Sequence, residues 1–267
     1  MSVAALEEHK AKYAIHEACR EGQSTPPLPK ATPHHLMQQH SHINAASKVE
    51  SLLSTNPKLS TLRDPDDRLP LHWAVSYNHL PIVTLLMQQQ AKTLDVDATD
   101  SSGWTALHMA CSRADSDAVI SLLVSKDADA NARTSTGATP LHFCASKNNL
   151  DAARLLMGLK PPASARLKDK RGQLPVHRAA AAGNVPMMKA LLEVGKSPVN
   201  AQDADGWTPL HHAVSEGHGD AALLLLQRGA EGERRDQWDK VALDYAPDAK
   251  TRDFVVRSAE REGIDLE

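Results

Sequence analysis

A four-residue phrase returns along this chain at nearly constant spacing, and no other feature restricts the possible fold so tightly. It reads Leu69-Pro70-Leu71-His72, Thr105-Ala106-Leu107-His108, Thr139-Pro140-Leu141-His142, Leu174-Pro175-Val176-His177 and Thr208-Pro209-Leu210-His211. Successive copies start 36, 34, 35 and 34 residues apart. A worn copy, Val241-Ala242-Leu243-Asp244, follows after 33 residues, and another, Tyr13-Ala14-Ile15-His16, precedes the first, giving seven in all. A module of this length cannot bury its apolar faces alone. Its copies must stack, and the end copies must act as polar caps.

The phrase has a mechanical reading. Thr caps a helix N-terminus, and Pro fits the first helical position because no N–H is needed there. The Leu points inward, and the His reaches backbone in neighbouring loops. Ala-rich stretches such as Arg178-Ala179-Ala180-Ala181-Ala182-Gly183 let this first helix pack closely. Asn78, Asn148, Gly183 and Gly217 stand where it should end, and both residue types tolerate a left-handed cap. Ala114 breaks that pattern, so a different turn is expected in the third copy. A second helix follows, with apolar pairs four apart such as Met187-Met188 and Leu191-Leu192. A turn with Asp and Gly then closes the module, as in Asp203-Ala204-Asp205-Gly206. Helix, turn, helix and hairpin at this period resemble the ankyrin repeat. The expected fold is therefore all-α: a curved solenoid of helix-turn-helix repeats with β-hairpin fingers. It forms one domain, its repeats starting near 9, 64, 100, 134, 169, 203 and 236.

The step from Tyr13 to Leu69 is 56 residues, which leaves an insertion at 23–42 in the first repeat. Its Pro-rich start and its polar tract predict a mobile loop. His34, His35, His40 and His42 could in principle ligate a metal. No Cys or structured turn supports a closed site, so a solvated loop is the expectation.

Aromatic residues make up only 3% of the chain against 41% hydrophobic overall, so the core is built from aliphatic and small side chains. A net charge of −3 argues against a nucleic-acid binder. Three cysteines, Cys19, Cys111 and Cys144, fit a reduced, intracellular protein and no disulfide framework. No signal peptide or membrane span is evident. There is no phosphate-cradling Gly-rich loop, nucleophile elbow or His-Glu-x-x-His motif. Six histidines (His16, His72, His108, His142, His177 and His211) share one repeat position, which marks scaffold and not catalysis. Neither an enzyme nor a bound cofactor or metal ion is expected.

Specificity in such an array lies in the turn tips and the exposed side of each first helix. The first full copies offer Asp66, Arg68, Tyr77, Trp104 and Arg113. Later ones offer Lys147, Lys170, Arg171, Trp207, Glu216 and Trp238. Trp73 lies close by on a first helix. The tryptophans either anchor a partner or pack along the neighbouring hairpin; Trp and Arg are the residues that dominate interface hot spots.

Longer matches carry a more specific resemblance. Asp64-Pro65-Asp66-Asp67-Arg68-Leu69-Pro70-Leu71-His72-Trp73-Ala74 resembles the second repeat of the gankyrin family, and Asp100-Ser101-Ser102-Gly103-Trp104-Thr105 its third. Ala145-Ser146-Lys147-Asn148, His177-Arg178-Ala179-Ala180 and Glu216-Gly217-His218-Gly219-Asp220-Ala221-Ala222 extend the likeness over nearly the whole chain. The resemblance implies an assembly chaperone of the proteasome's regulatory particle. Such a protein grips the C-terminal domain of one ATPase subunit of the base through its concave face. Arg68 and Lys147 look like two basic residues that meet acidic residues of that domain, and Arg178 joins the same surface. A monomer in cytoplasm and nucleus, with no nucleic-acid or membrane partner, is expected. The retinoblastoma-binding Leu-x-Cys-x-Glu motif of the animal proteins is absent: here the stretch is Leu210-His211-His212-Ala213-Val214-Ser215-Glu216. A general ankyrin adaptor for a signalling or transcription protein is the alternative.

Overall fold

A computed structural model describes residues 13–21, 34–89 and 94–266, with backbone alone at 34–44 and 89. The chain divides into two compact units. Among described residues, the first runs to Ala110 and includes Asp115–Asp129, and the second joins Cys111–Ala114 to Ala130 onward. No helix among the described residues is long and apolar enough to cross a membrane.

The first unit contains α1 (13–20), α2 (His34–Thr55), α3 (Pro70–Ser76), α4 (Leu80–Gln89), most of α5 (Ala106–Cys111) and α6 (Asp117–Val124). Ile15, Leu53, Leu71, Ile82, Leu86 and Leu107 are fully buried and form its core. Residues 34–42, expected as loop, are instead the start of α2. The reason is local: from His34 to Thr55 there is neither Gly nor Pro to stop a helix, while Pro33 stands just before it. The rest of the expected loop, 23–33, lies outside the described residues. At the third copy the left-handed residue moves one place on, from the position of Ala114 to Asp115 (φ 60°), whose carbonyl accepts the Asn78 side chain at 2.8 Å.

The second unit contains α7 (Pro140–Lys147), α8 (Leu150–Met157), α9 (Pro175–Ala181), α10 (Val185–Glu193), α11 (Pro209–Ser215), α12 (Gly219–Gln227) and α13 (Ala249–Arg261). A 3₁₀ turn, Ala242–Tyr245, replaces the first helix of the last copy. Asn149 and Asn184 cap α8 and α10 by accepting the N–H of Ala152 and Met187. Ala179, Ala180, Ala213 and Val214 are completely buried where first helices pack.

The repeated His stitches each module to the next. In the second unit Nδ1 accepts the N–H of Thr139, Leu174 or Thr208 at 3.0, 3.0 and 3.3 Å. This fixes the proton on Nε2, which donates to Gln173, Ala201 and Lys240 carbonyls in the following module. In the first unit His72 does the same with Leu69 N–H and the Ala98 carbonyl. The arrangement is a capping box with His in the usual Glu place.

The expected β-hairpin fingers are not strands: no strand occurs among the described residues. Each finger is a tight turn, closed by bonds such as Asp203 N–H to Trp207 O (2.9 Å) and Gly206 N–H to Asp203 O (3.1 Å). A single bond then reaches the next turn, as from Ala204 N–H to Arg171 O at 2.8 Å. The aspartate carboxylate takes the remaining amides, so none is left for a ladder. Gly172 is required here: its φ is 75°, and a Cβ would stand 2.8 Å from Ala204 N.

Candidate interaction surface

Every turn opens on Asp or Thr, and in the Asp turns one carboxylate organises the surface. Oδ1 of Asp64 accepts the N–H of Asp66 and Arg68, both at 2.9 Å. Asp100, Asp169, Asp203 and Asp236 accept the N–H groups two and four residues on in the same way. The second oxygen takes a side chain nine residues on wherever that residue is a donor. Trp73 donates to Asp64 at 2.7 Å, Arg178 to Asp169 at 2.7 Å, His212 to Asp203 at 2.9 Å and Tyr245 to Asp236 at 2.5 Å. At Asp100 that place is held by Met109, and the carboxylate turns to Arg68 instead, whose Nε lies at 3.4 Å.

These bonds set the acidity of the carboxyls. Burial alone would raise Asp203, but His212, the Trp207 N–H and Gln173 bring it down to about 2. Asp64 and Asp169 are likewise held below the usual range, against burial, chiefly by the Arg68 N–H and the Arg178 guanidinium respectively. These three are ionised near neutrality, so their turns carry a fixed, partly buried negative charge.

In the first unit the candidates cluster around Trp73. The guanidinium carbons of Arg20 and Arg68 lie 4.1 and 5.0 Å from its ring centre, and Tyr77 stacks beside it at 6.2 Å. The Arg68 side chain is 34% exposed while Asp100 is 3% exposed, and its Nη atoms have no hydrogen-bond partner among the described residues. Asp66 sits exposed at the turn tip, and its carbonyl accepts Ser101 N–H. Trp104 is half-buried, its ring 6.3 Å from His108.

In the second unit Arg178 is committed to Asp169, with 23% and 2% exposure. Lys147, Lys170, Arg171 and Glu216 project exposed, and none makes an ion pair among the described residues. Arg113 is half-buried, and its carbonyl accepts the Asn149 side chain. Trp207 packs along the next turn: its indole donates to Asp236 at 3.1 Å, and its ring lies 4.7 Å from Tyr245 and 5.2 Å from His212. Trp238 is 56% exposed. The side-chain partners that sequence reasoning missed are the turn aspartates with Arg20, His212 and Tyr245. The nine-residue spacing from Asp to a donor was the readable signal for His212 and Tyr245, and no local pattern marked Arg20.

Among the described residues, no group of His, Cys, Asp or Glu side chains could hold a metal ion. Cys111 and Cys144 are buried together, and burial with the neighbouring thiol pushes Cys111 well up, away from the thiolate form a nucleophile needs. Burial likewise pushes His142 and His177 down to about 4. The exposed turns and first helices are the candidate interaction surface.

Comparison with known proteins agrees with that architecture. Models of ankyrin repeats match residues 66–101, 90–165 and 158–236. The chain is 36% identical over 250 residues to the probable 26S proteasome regulatory subunit p28 of Saccharomyces cerevisiae, covering 92% of this chain and 98% of that one. It is 34% identical to an ankyrin repeat-containing protein of Schizosaccharomyces pombe, over 82% of this chain and 92% of the other. Among solved structures, the ankyrin repeat domain of Bcl-3 superposes with a TM-score of 0.65 at 24% identity, over 86% of this chain and all of that domain.

Proposed function

Because the chain belongs to the gankyrin family of ankyrin-repeat proteins, we propose that it is a non-catalytic assembly chaperone of the proteasome's regulatory particle. In this reading it has seven repeats and binds, as a monomer in cytoplasm and nucleus, the C-terminal domain of one ATPase subunit of the base. The identity to the yeast regulatory subunit, spanning almost all of both chains, is the observation that carries the proposal. The surface chemistry supports it. Arg68 offers a partly exposed guanidinium held by Asp100 and Trp73, whose Nη atoms make no hydrogen bond among the described residues, a group suited to a carboxylate. Lys147, at the end of α7, offers an exposed ammonium. Trp238 adds exposed apolar area, and Asp66, Tyr77, Trp104, Lys170, Arg171 and Glu216 extend the two patches.

Binding by charge pairs weakens as salt rises, since exposed pairs are screened over about 8 Å at physiological ionic strength. The test is capture of the purified C-terminal domain of each proteasomal ATPase by the wild-type chain and by an Arg68→Glu, Lys147→Glu double variant. Selective capture of one domain, lost in the variant and in high salt, is the expected result. Capture of none would favour the general adaptor.

A further inference from the structure

The outer face of α13 belongs to none of the surfaces above. This helix turns Val255 and Ala259 inward, where they are 1% and 0% exposed. On the opposite side Lys250, Phe254, Arg257 and Arg261 form a stripe at helical spacing. Phe254 is 43% exposed, one of three large hydrophobic side chains so displayed among the described residues. Its ring is not loose. It rests against Gly219, where an added Cβ would lie 2.4 Å from Phe254 Cδ1.

Two adjoining hollows, about 530 and 320 Å³, share Lys250 and Phe254. The larger is also lined by Asp253, Arg257 and Arg261, and the smaller by Asp220 and Asp248. Asp253 stands 3.6 Å from Arg257, while Lys250 and Arg261 make no ion pair among the described residues. Asp248 is already occupied in capping α13 through the Thr251 N–H. The larger hollow is thus an aromatic floor under surplus positive charge.

We propose that this groove docks an acidic amphipathic helix of a partner protein. An apolar residue of that helix covers Phe254, and carboxylates one to two turns further meet Arg257 and Arg261. Charge complementarity selects an acidic occupant. The stripe is a ridge of side chains roughly 16 Å long, which matches about three turns of a helix lying alongside. The inference stands on α13 alone and does not depend on the ATPase domain proposed above.

The probe is a synthetic helical peptide of about 15 residues with one leucine and with glutamates three, four and seven residues beyond it. It is titrated into the isotope-labelled full chain and followed by amide chemical shifts. The expected shifts are confined to α13 and the Gly217–Gly219 turn. Affinity should fall on the order of tenfold in an Arg257→Glu, Arg261→Glu variant and with a peptide whose glutamates are glutamines. Gly219→Ala, which removes no charge but displaces Phe254, should weaken binding too; unchanged shifts elsewhere would show the fold intact. The proposal is overturned by no shifts at millimolar peptide, by shifts outside this face, or by equal binding to the charge-reversed variant. It is also overturned if the face instead mediates self-association that Phe254→Ala abolishes.

Discussion

Arg68 in the first unit and Arg178 in the second do different work, although each bonds to the aspartate that opens the turn of its own module. Arg178 stands nine residues after Asp169, on the first helix, and closes a 2.7 Å ion pair with a carboxylate that is 2% exposed. Arg68 stands four residues after Asp64, in the turn itself. Its backbone N–H serves that carboxylate, while its side chain makes only a 3.4 Å contact with the neighbouring Asp100. The position within the module therefore decides whether a cation staples its own turn or faces outward. Composition does not decide it.

The largest effect that would break this comparison comes from the aspartate itself. Asp203→Ala removes the acceptor of two backbone amides and of His212, and should cost about 3 kcal/mol in chemical unfolding. A loss below half of that would mean that the carboxylate does not organise the turn. Next in size is Arg178→Ala, which leaves Asp169 buried without its cation and should cost about 2 kcal/mol. Arg68→Ala should cost at most about 1 kcal/mol, because its pair is longer and partly solvated. Equal melting losses for the two arginines would erase the distinction.

The buried histidines sharpen the contrast along another axis. His142 and His177 are neutral in the folded chain, with acidities near 4. Unfolded, they bind protons as pH falls below about 6.5, so stability is full above that value and declines toward pH 4. Each contributes a slope of up to about 1.4 kcal/mol per pH unit in that window. Urea midpoints at pH 7.5 and pH 5 would reveal it, and a flat profile would contradict the assigned burial. The smallest effect is Trp238→Ala. With 56% of the residue exposed, its removal should change stability by less than about 0.5 kcal/mol while weakening partner binding.

Much of the fold was legible because the phrase ending in His encodes its own geometry: a cap, a Pro, an inward Leu and a cross-module hydrogen bond. The left-handed caps at Asn78, Asn148, Gly183 and Gly217 were readable for the same reason. The fingers were misread as strands because alternation with Asp and Gly suits a hairpin equally well, and only the three-dimensional course of the Asp carboxylate shows where the amides go. The start of α2 was misread because proline-rich composition upstream hid a helix-compatible run from His34. At the surface, residue type singled out exposed cations and tryptophans, but not their partners. That Trp207 donates to Asp236 of the following module depends on how two repeats stack, which no local pattern records.

The most direct test of the central claim pairs binding with stability for Arg68→Glu, Lys147→Glu and Arg178→Ala against the captured ATPase domain. The account predicts at least about tenfold weaker binding for each of the first two with melting temperatures near wild type. For Arg178→Ala it predicts a lower melting temperature and affinity within about twofold of wild type, since that side chain serves Asp169. If Arg178→Ala abolished binding while Arg68→Glu and Lys147→Glu bound as wild type, the assignment of the binding surface would be contradicted.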